Sequence, residues 1–235
     1  MTEASARFFD QQAGDYHASR RGGMWPFHRV SAARFQRELR GRVLAAGGLW
    51  AQADAAAVAG AVTVADRSLG MLRHWAAKGL TTVRCDARVL PFDPASFDHV
   101  VLPLVLHHLA ASHGWAARRQ ARRALAEAAR VLRPGGRLWI SEFCVRPWLY
   151  ALELAVSPLT RLALAAARIP LVVMHSVSFY ESALRELGFT EVEAAAVRAP
   201  EPRAGDLIQP VIGLPWLVVP RWLYPVSPTL VTGRR

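Results

Sequence analysis

Lysine is almost missing from the 235 residues: Lys78 stands alone, and arginine supplies the other 28 of the 29 cations. Acidic side chains are also few, 18 in all, which leaves a formal charge of +11. That excess admits nucleic acid, an anionic membrane surface or an anionic small molecule as a partner. An alanine- and arginine-rich composition with no charge-dependent partner accounts for it equally well. Cysteine is scarce. Cys85 and Cys144 lie far apart inside apolar segments, which excludes a disulfide framework and a zinc spacing and fits reduced, buried thiols. The first ten residues carry acids and no apolar core of the secretory type, so a cytoplasmic chain is expected. No apolar run reaches the roughly 18–20 residues of a spanning helix. The uncharged stretch from Leu207 to Pro220 is interrupted by Pro210 and Pro215.

What the chain does have is apolar content, 52% against 20% charged residues, enough for one full-sized domain and too much for disorder. Short β-branched runs alternate with helical stretches, the pattern of an α/β fold. Strands are expected at Arg42–Ala46, Ala61–Ala65, Thr81–Cys85, Phe97–Leu102, Arg137–Glu142, Phe189–Val197 and Thr229–Thr232. Ser68 can cap a helix that runs through Ala77 and stops at Gly79. From Trp115 to Leu132, Ala121, Leu125 and Ala128 form one stripe while Arg118, Arg119, Arg122 and Arg123 face elsewhere. Pro134-Gly135-Gly136 should break that helix, and Ser178 to Glu181 reads as a capping box opening another. The fold class is thus a Rossmann-like, seven-stranded, mostly parallel sheet with helices on both faces and an antiparallel last strand.

In an open parallel sheet, ligands bind outside the carboxyl ends of the strands. The candidates are therefore Gly47 and Gly48 after the first strand, Asp66 after the second, Asp86 after the third, and Leu102 to His108 after the fourth. An acid about 20 residues beyond the first strand is placed to accept hydrogen bonds from a ribose, which points to a nucleoside-bearing cofactor. For Asp66 alone a helix-start acid is an equal reading, and for Asp86 a turn residue.

Four segments in order carry a resemblance. They are Asp66-Arg67-Ser68-Leu-Gly-Met71-Leu72; Asp86-Ala87 to Phe92 with Phe97-Asp98; Val105-Leu106-His107-His108-Leu109; and Val131-Leu132-Arg-Pro134-Gly135-Gly136. Together they resemble the class I S-adenosylmethionine-dependent methyltransferases, nearest the ubiquinone/menaquinone-biosynthesis type and its small-molecule relatives, over residues 8 to 198. The resemblance implies S-adenosyl-L-methionine as cofactor. It gives Asp66 and Arg67 to the ribose side, Asp86 and Ala87 to the adenine, and Ala46, Gly47, Gly48 and Leu102 to the surrounding wall. Tyr16 falls in an N-terminal segment that covers the cofactor. His107 or His108 could take a proton from the acceptor; local capping or packing is the competing reading. The glycine motif is degenerate: Ala45 replaces an acid, and Leu49 and Ala51 replace two glycines. Gln52 and Asp54 lie just beyond it and could replace that acid.

One domain is expected, with an N-terminal cap at 1–41, a cofactor-binding half at 42–143, an apolar insertion at 144–177, and terminal strands with a lid at 178–235. Pro158 should kink or split the insertion. Its apolar surface, with Leu207 to Tyr224, favours an aromatic, polyketide, isoprenoid or lipid-like acceptor and allows peripheral contact with a membrane. A non-catalytic methyltransferase-like binding protein is the second reading. Nucleic-acid methylation ranks last, because no RNA-binding signature accompanies the charge.

Overall fold

The computed structural model describes residues 10, 34–35, 37–48, 61–109, 114–166, 172–196 and 226–235. Its strands are β1 (Arg42–Ala46), β2 (Ala61–Asp66), β3 (Thr81–Arg84), β4 (Phe97–Pro103), β5 (Leu132–Val145), β6 (Thr190–Ala196) and β7 (Val226–Arg234). They form one sheet in the order β3-β2-β1-β4-β5-β7-β6. The first five pair in parallel, and β7 runs antiparallel to both β5 and β6. Strand order therefore reverses beside β1, where the chain moves outward to β3 and then returns to β4.

Period-two alternation explains why both faces are covered. Leu44 and Ala46 of β1, Val100 and Leu102 of β4, and Leu138 and Ile140 of β5 join one core with Leu125, Phe179 and Tyr180. Their neighbours Val43, Ala45, Val101 and Trp139 join the other, with Phe35, Leu39 and Trp75. Four helices are described: α1 (Leu69–Ala76), α2 (Gly114–Val131), α3 (Pro147–Ala166) and α4 (Val177–Glu186). The expected stripe of α2 is fully buried at Ala121, Leu125 and Ala128. Arg118 and Arg122 are not simply solvated, since both guanidinium groups lie over the Phe179 ring.

Three expectations need correction. Pro134-Gly135-Gly136 lies within β5, which begins directly after α2. The C-terminal residue holds it there: Gly135 N–H donates to the Arg235 carbonyl at 2.6 Å and Arg235 N–H donates to the Gly136 carbonyl at 2.8 Å. The cap of α4 is Ser176, two residues before the expected box, with its side chain accepting from Phe179 N–H. A bridge between Val145 and Ser176 fixes the extended backbone at that point. Of the kink or split expected at Pro158, the split does not occur, because α3 is continuous from Pro147 to Ala166. Tyr16, Leu49 to Asp54 and the 207–224 piece lie outside the described residues.

Candidate active site

The site begins where β1 ends. Gly47 and Gly48 have φ of +100° and +95°, and Gly47 N–H donates to the Ala65 carbonyl at 2.8 Å. A Cβ built on Gly47 would lie 2.6 Å from the Val105 Cβ, so the strand-end turn and the segment after β4 meet at a position only glycine fits.

Asp66 ends β2, and its Oδ1 accepts from Ser68 N–H at 2.8 Å. Burial pushes its carboxyl up to about 6, against the pull of the Ser68 and Arg67 amides and with the nearby Asp10 charge adding to the rise. Ser68 caps α1 by accepting from Met71 N–H, and donates its own hydroxyl to Asp10 at 2.6 Å. Asp10 also accepts from Gly70 N–H at 2.9 Å, tying the N-terminal region to the start of α1.

Asp86 follows β3 and is densely engaged. Its Oδ1 accepts from Arg88 N–H and Nε at 3.0 and 2.8 Å, and its Oδ2 accepts from Arg88 Nη2 at 2.6 Å and Arg67 Nη1 at 3.4 Å. Burial raises its pKa, but the Arg88 bonds outweigh that and hold the carboxyl at about 2. Four donors use the whole acceptor capacity of a carboxylate. An adenine amino group meeting this side chain must therefore displace one of them, and the 3.4 Å Arg67 bond is the longest.

These residues enclose a cleft with about 330 Å³ of empty space, part of it open to solvent. Ala46, Gly47, Asp66, Arg67, Asp86 and Ala87 line it, together with Ala65, Cys85, Val105 and Leu109. Leu102 is buried in the core, and neither it nor Gly48 is part of the lining. Val105 and Leu109 were legible only as part of the strand-4 segment. Cys85 was read as a buried thiol, and burial pushes it up to about 11.

The two histidines sit on a 3₁₀ turn, Leu106–His108, after β4, with ring centroids 4.0 Å apart. They are beside the cleft and not in its lining. His107 turns toward β5, where its Nδ1 is 2.6 Å from Glu142 Oε2. Glu142 is fully buried, and its Oε1 accepts from Leu106 N–H at 2.8 Å. No sequence signal singled out this glutamate, because strand alternation alone does not show what faces it. Val173 N–H donates to the His107 carbonyl, and His175 follows in the same segment, its Nδ1 3.0 Å from the Tyr150 hydroxyl. Burial pushes His175 down to about 3. A polar cluster thus lies between the turn, β5, α3 and the start of α4. Among the described residues no metal-ligating cluster occurs.

The sheet order and this cleft at the carboxyl ends of β1 to β3 define a Rossmann-like domain. Residues 42–140 match the methyltransferase-domain family, a span that runs from β1 into β5. Over 79 residues the chain is 42% identical to the demethylmenaquinone methyltransferases of Mycobacterium tuberculosis and Mycobacterium bovis, 34% of this chain and 30% of theirs. The match therefore spans about a third of the length of these curated relatives. Among solved structures, the methyltransferase bound to the Trm112 methyltransferase activator of Haloferax volcanii superposes with a TM-score of 0.66 at 20% identity, covering 96% of each chain. Phosphoethanolamine N-methyltransferase 2 of Haemonchus contortus, in complex with S-adenosyl-L-methionine, gives a TM-score of 0.52 at 21% identity over 72% of this chain and 38% of that one.

Proposed function

We propose that the chain is an S-adenosylmethionine-dependent methyltransferase acting on an apolar small molecule. The observation that carries the reading is the cleft itself, with Asp66 and Asp86 at the ends of adjacent strands and the Gly47 turn at its floor. The residues present fit the cofactor. Asp66 spends one oxygen on Ser68 N–H and keeps acceptor capacity for ribose hydroxyls. Gly47 keeps the backbone low, and Ala46, Ala65 and Ala87 give smooth, small walls. When bound, the cofactor supplies a methyl group on a sulfonium, an electrophile that needs no metal. The chain's own contribution is to orient the acceptor in line with that methyl and keep water out.

The apolar acceptor rests on two supports. The partial match is to proteins named for demethylmenaquinone, and α3 exposes Trp148, Leu152 and Leu159 beside the polar cluster's Tyr150. The same exposed residues, with the arginine excess, support a peripheral contact with an anionic membrane; flotation with phosphatidylglycerol vesicles tests it. No helix among the described residues is long and apolar enough to cross a membrane.

Calorimetry with S-adenosylhomocysteine tests the central reading. Binding by the folded protein, lost on Asp66→Ala, is expected. Absence of binding would refute it and return the chain to a methyltransferase-like binding role. Transfer of labelled methyl to 1,4-dihydroxynaphthalene, set against a charged amine, tests the acceptor class.

A further inference from the structure

A buried carboxylate with one ring nitrogen and one amide for partners is costly to keep in a core, so its geometry deserves a chemical account. Glu142 is fully buried on β5, on the face of that strand that Leu138, Ile140 and Cys144 bring to the apolar core. Its two oxygens are divided between the His107 ring at 2.6 Å and the Leu106 amide at 2.8 Å. Both partners belong to the turn that borders the cleft, so Glu142 grips that turn from behind. A carboxylate can only accept, which places a hydrogen on His107 Nδ1 and leaves Nε2 as the ring's acceptor. Nε2 makes no hydrogen bond to the described residues, and the His107 side chain keeps 11% of its surface exposed.

The surroundings are also unfinished as a purely structural cluster. The Tyr180 hydroxyl and His175 Nε2 are buried without a hydrogen-bond partner among the described residues. The His175 and Tyr180 rings lie 5.8 Å apart, and the segment that carries His175 is joined to the turn by the Val173 N–H bond to the His107 carbonyl.

We propose that Glu142 is a positioning residue that fixes His107 in the Nδ1–H tautomer, so that Nε2 takes a proton from the acceptor. This rests on the methyltransferase reading and deepens it, because it assigns the acceptor to the class whose nucleophilic oxygen carries a hydrogen, a phenol or enol. The step balances. The acceptor's O–H proton passes to Nε2, its oxygen forms the bond to the methyl carbon, and the methyl–sulfur bond breaks with its electrons returning to sulfur. The sulfonium charge is thereby exchanged for an imidazolium charge, which the Glu142 carboxylate stabilises.

The test begins with the ring itself. Nitrogen-15 NMR of the imidazole should show His107 as the Nδ1–H tautomer, and Glu142→Gln should abolish that preference. The other titratable or charged groups around it, His108 on the same turn, His175 before α4, Tyr150 on α3, Tyr180 on α4 and Arg118 on α2, are unchanged in that variant. An Nε2–H tautomer in the wild type, or a tautomer preference that Glu142→Gln leaves in place, overturns the assignment. A second variant guards against misfolding: His107→Asn keeps a donor toward Glu142 and lacks the base. With 1,4-dihydroxynaphthalene as probe, it should lose about 100-fold or more in kcat while S-adenosylhomocysteine affinity stays the same. A rate within tenfold of wild type overturns the proposal. Failure of S-adenosylhomocysteine to bind refutes the methyltransferase reading instead, and leaves the tautomer result to stand or fall separately.

Discussion

Replacing Asp66 with asparagine should make the unliganded protein more stable while weakening its hold on the cofactor. Asp66 is pushed up to about 6 from an ordinary 3.8, chiefly by burial at the end of β2. A group whose folded pKa lies above its unfolded value is penalised in the fold once it ionises. The penalty is absent below 3.8, grows between 3.8 and about 6, and is constant above that. Full expression of the gap is worth about 3 kcal/mol, and water entering the open cleft reduces it to about 1–2 kcal/mol. Asparagine can still accept from Ser68 N–H, as Asp66 does at 2.8 Å, so the start of α1 is kept. Urea denaturation at pH 8 should show the variant ahead by that amount, with the gain falling to about a third at pH 4.5. Calorimetry at pH 8 should show S-adenosylhomocysteine affinity reduced about 10- to 100-fold, the cost of losing hydrogen bonds to a charged acceptor. A variant that is destabilised at pH 8, or whose gain does not change with pH, would refute the reasoning.

Three further outcomes follow from the same geometry. Gly47→Ala combines a left-handed backbone with a Cβ 2.6 Å from that of Val105 and should cost about 2–4 kcal/mol. Adding Val105→Ala should return part of that loss in a double-mutant cycle read by denaturation. Ser68→Ala removes the α1 cap and the anchor for Asp10, at about 1–2 kcal/mol. Asp10→Ala should be less than additive with it in thermal unfolding, because the two side chains share one hydrogen bond. Burial pushes Cys85 up to about 11 and Cys144 up to about 12, so native protein at pH 8 should be nearly inert to a thiol-specific disulfide reagent and react at both sites once unfolded. Stoichiometric labelling of both thiols in the native form would contradict the burial of Cys144 and the raised pKa of half-buried Cys85.

Much of this was fixed locally, and the sequence by itself determined it. Short β-branched apolar runs set between turn residues mark buried strands, so β1 to β4 could be read without tertiary information, as could the apolar stripe of α2. Ser68 and Gly79 mark the ends of α1 by their own chemistry. Asp66 and Asp86 were recognisable because strand-end acids at that spacing converge on one crevice in any parallel sheet of this order.

What only the tertiary structure decided depends on contacts between distant segments. Pro134-Gly135-Gly136 reads as a helix stop, and α2 does end at Val131, yet the segment continues as β5 because Leu132 pairs with Phe97 of β4 and the two glycines bond to Arg235 at the other end of the chain. The Ser176 cap prevails over the Ser178 box because Val145 fixes its backbone. Asp86 looked like an open acceptor until Arg88 and Arg67 folded onto it. Glu142 carried no signal at all. Its importance comes from facing His107 across 35 residues of sequence and 2.6 Å of space. Local propensity encodes elements; the partners of a buried charge are set by how those elements pack.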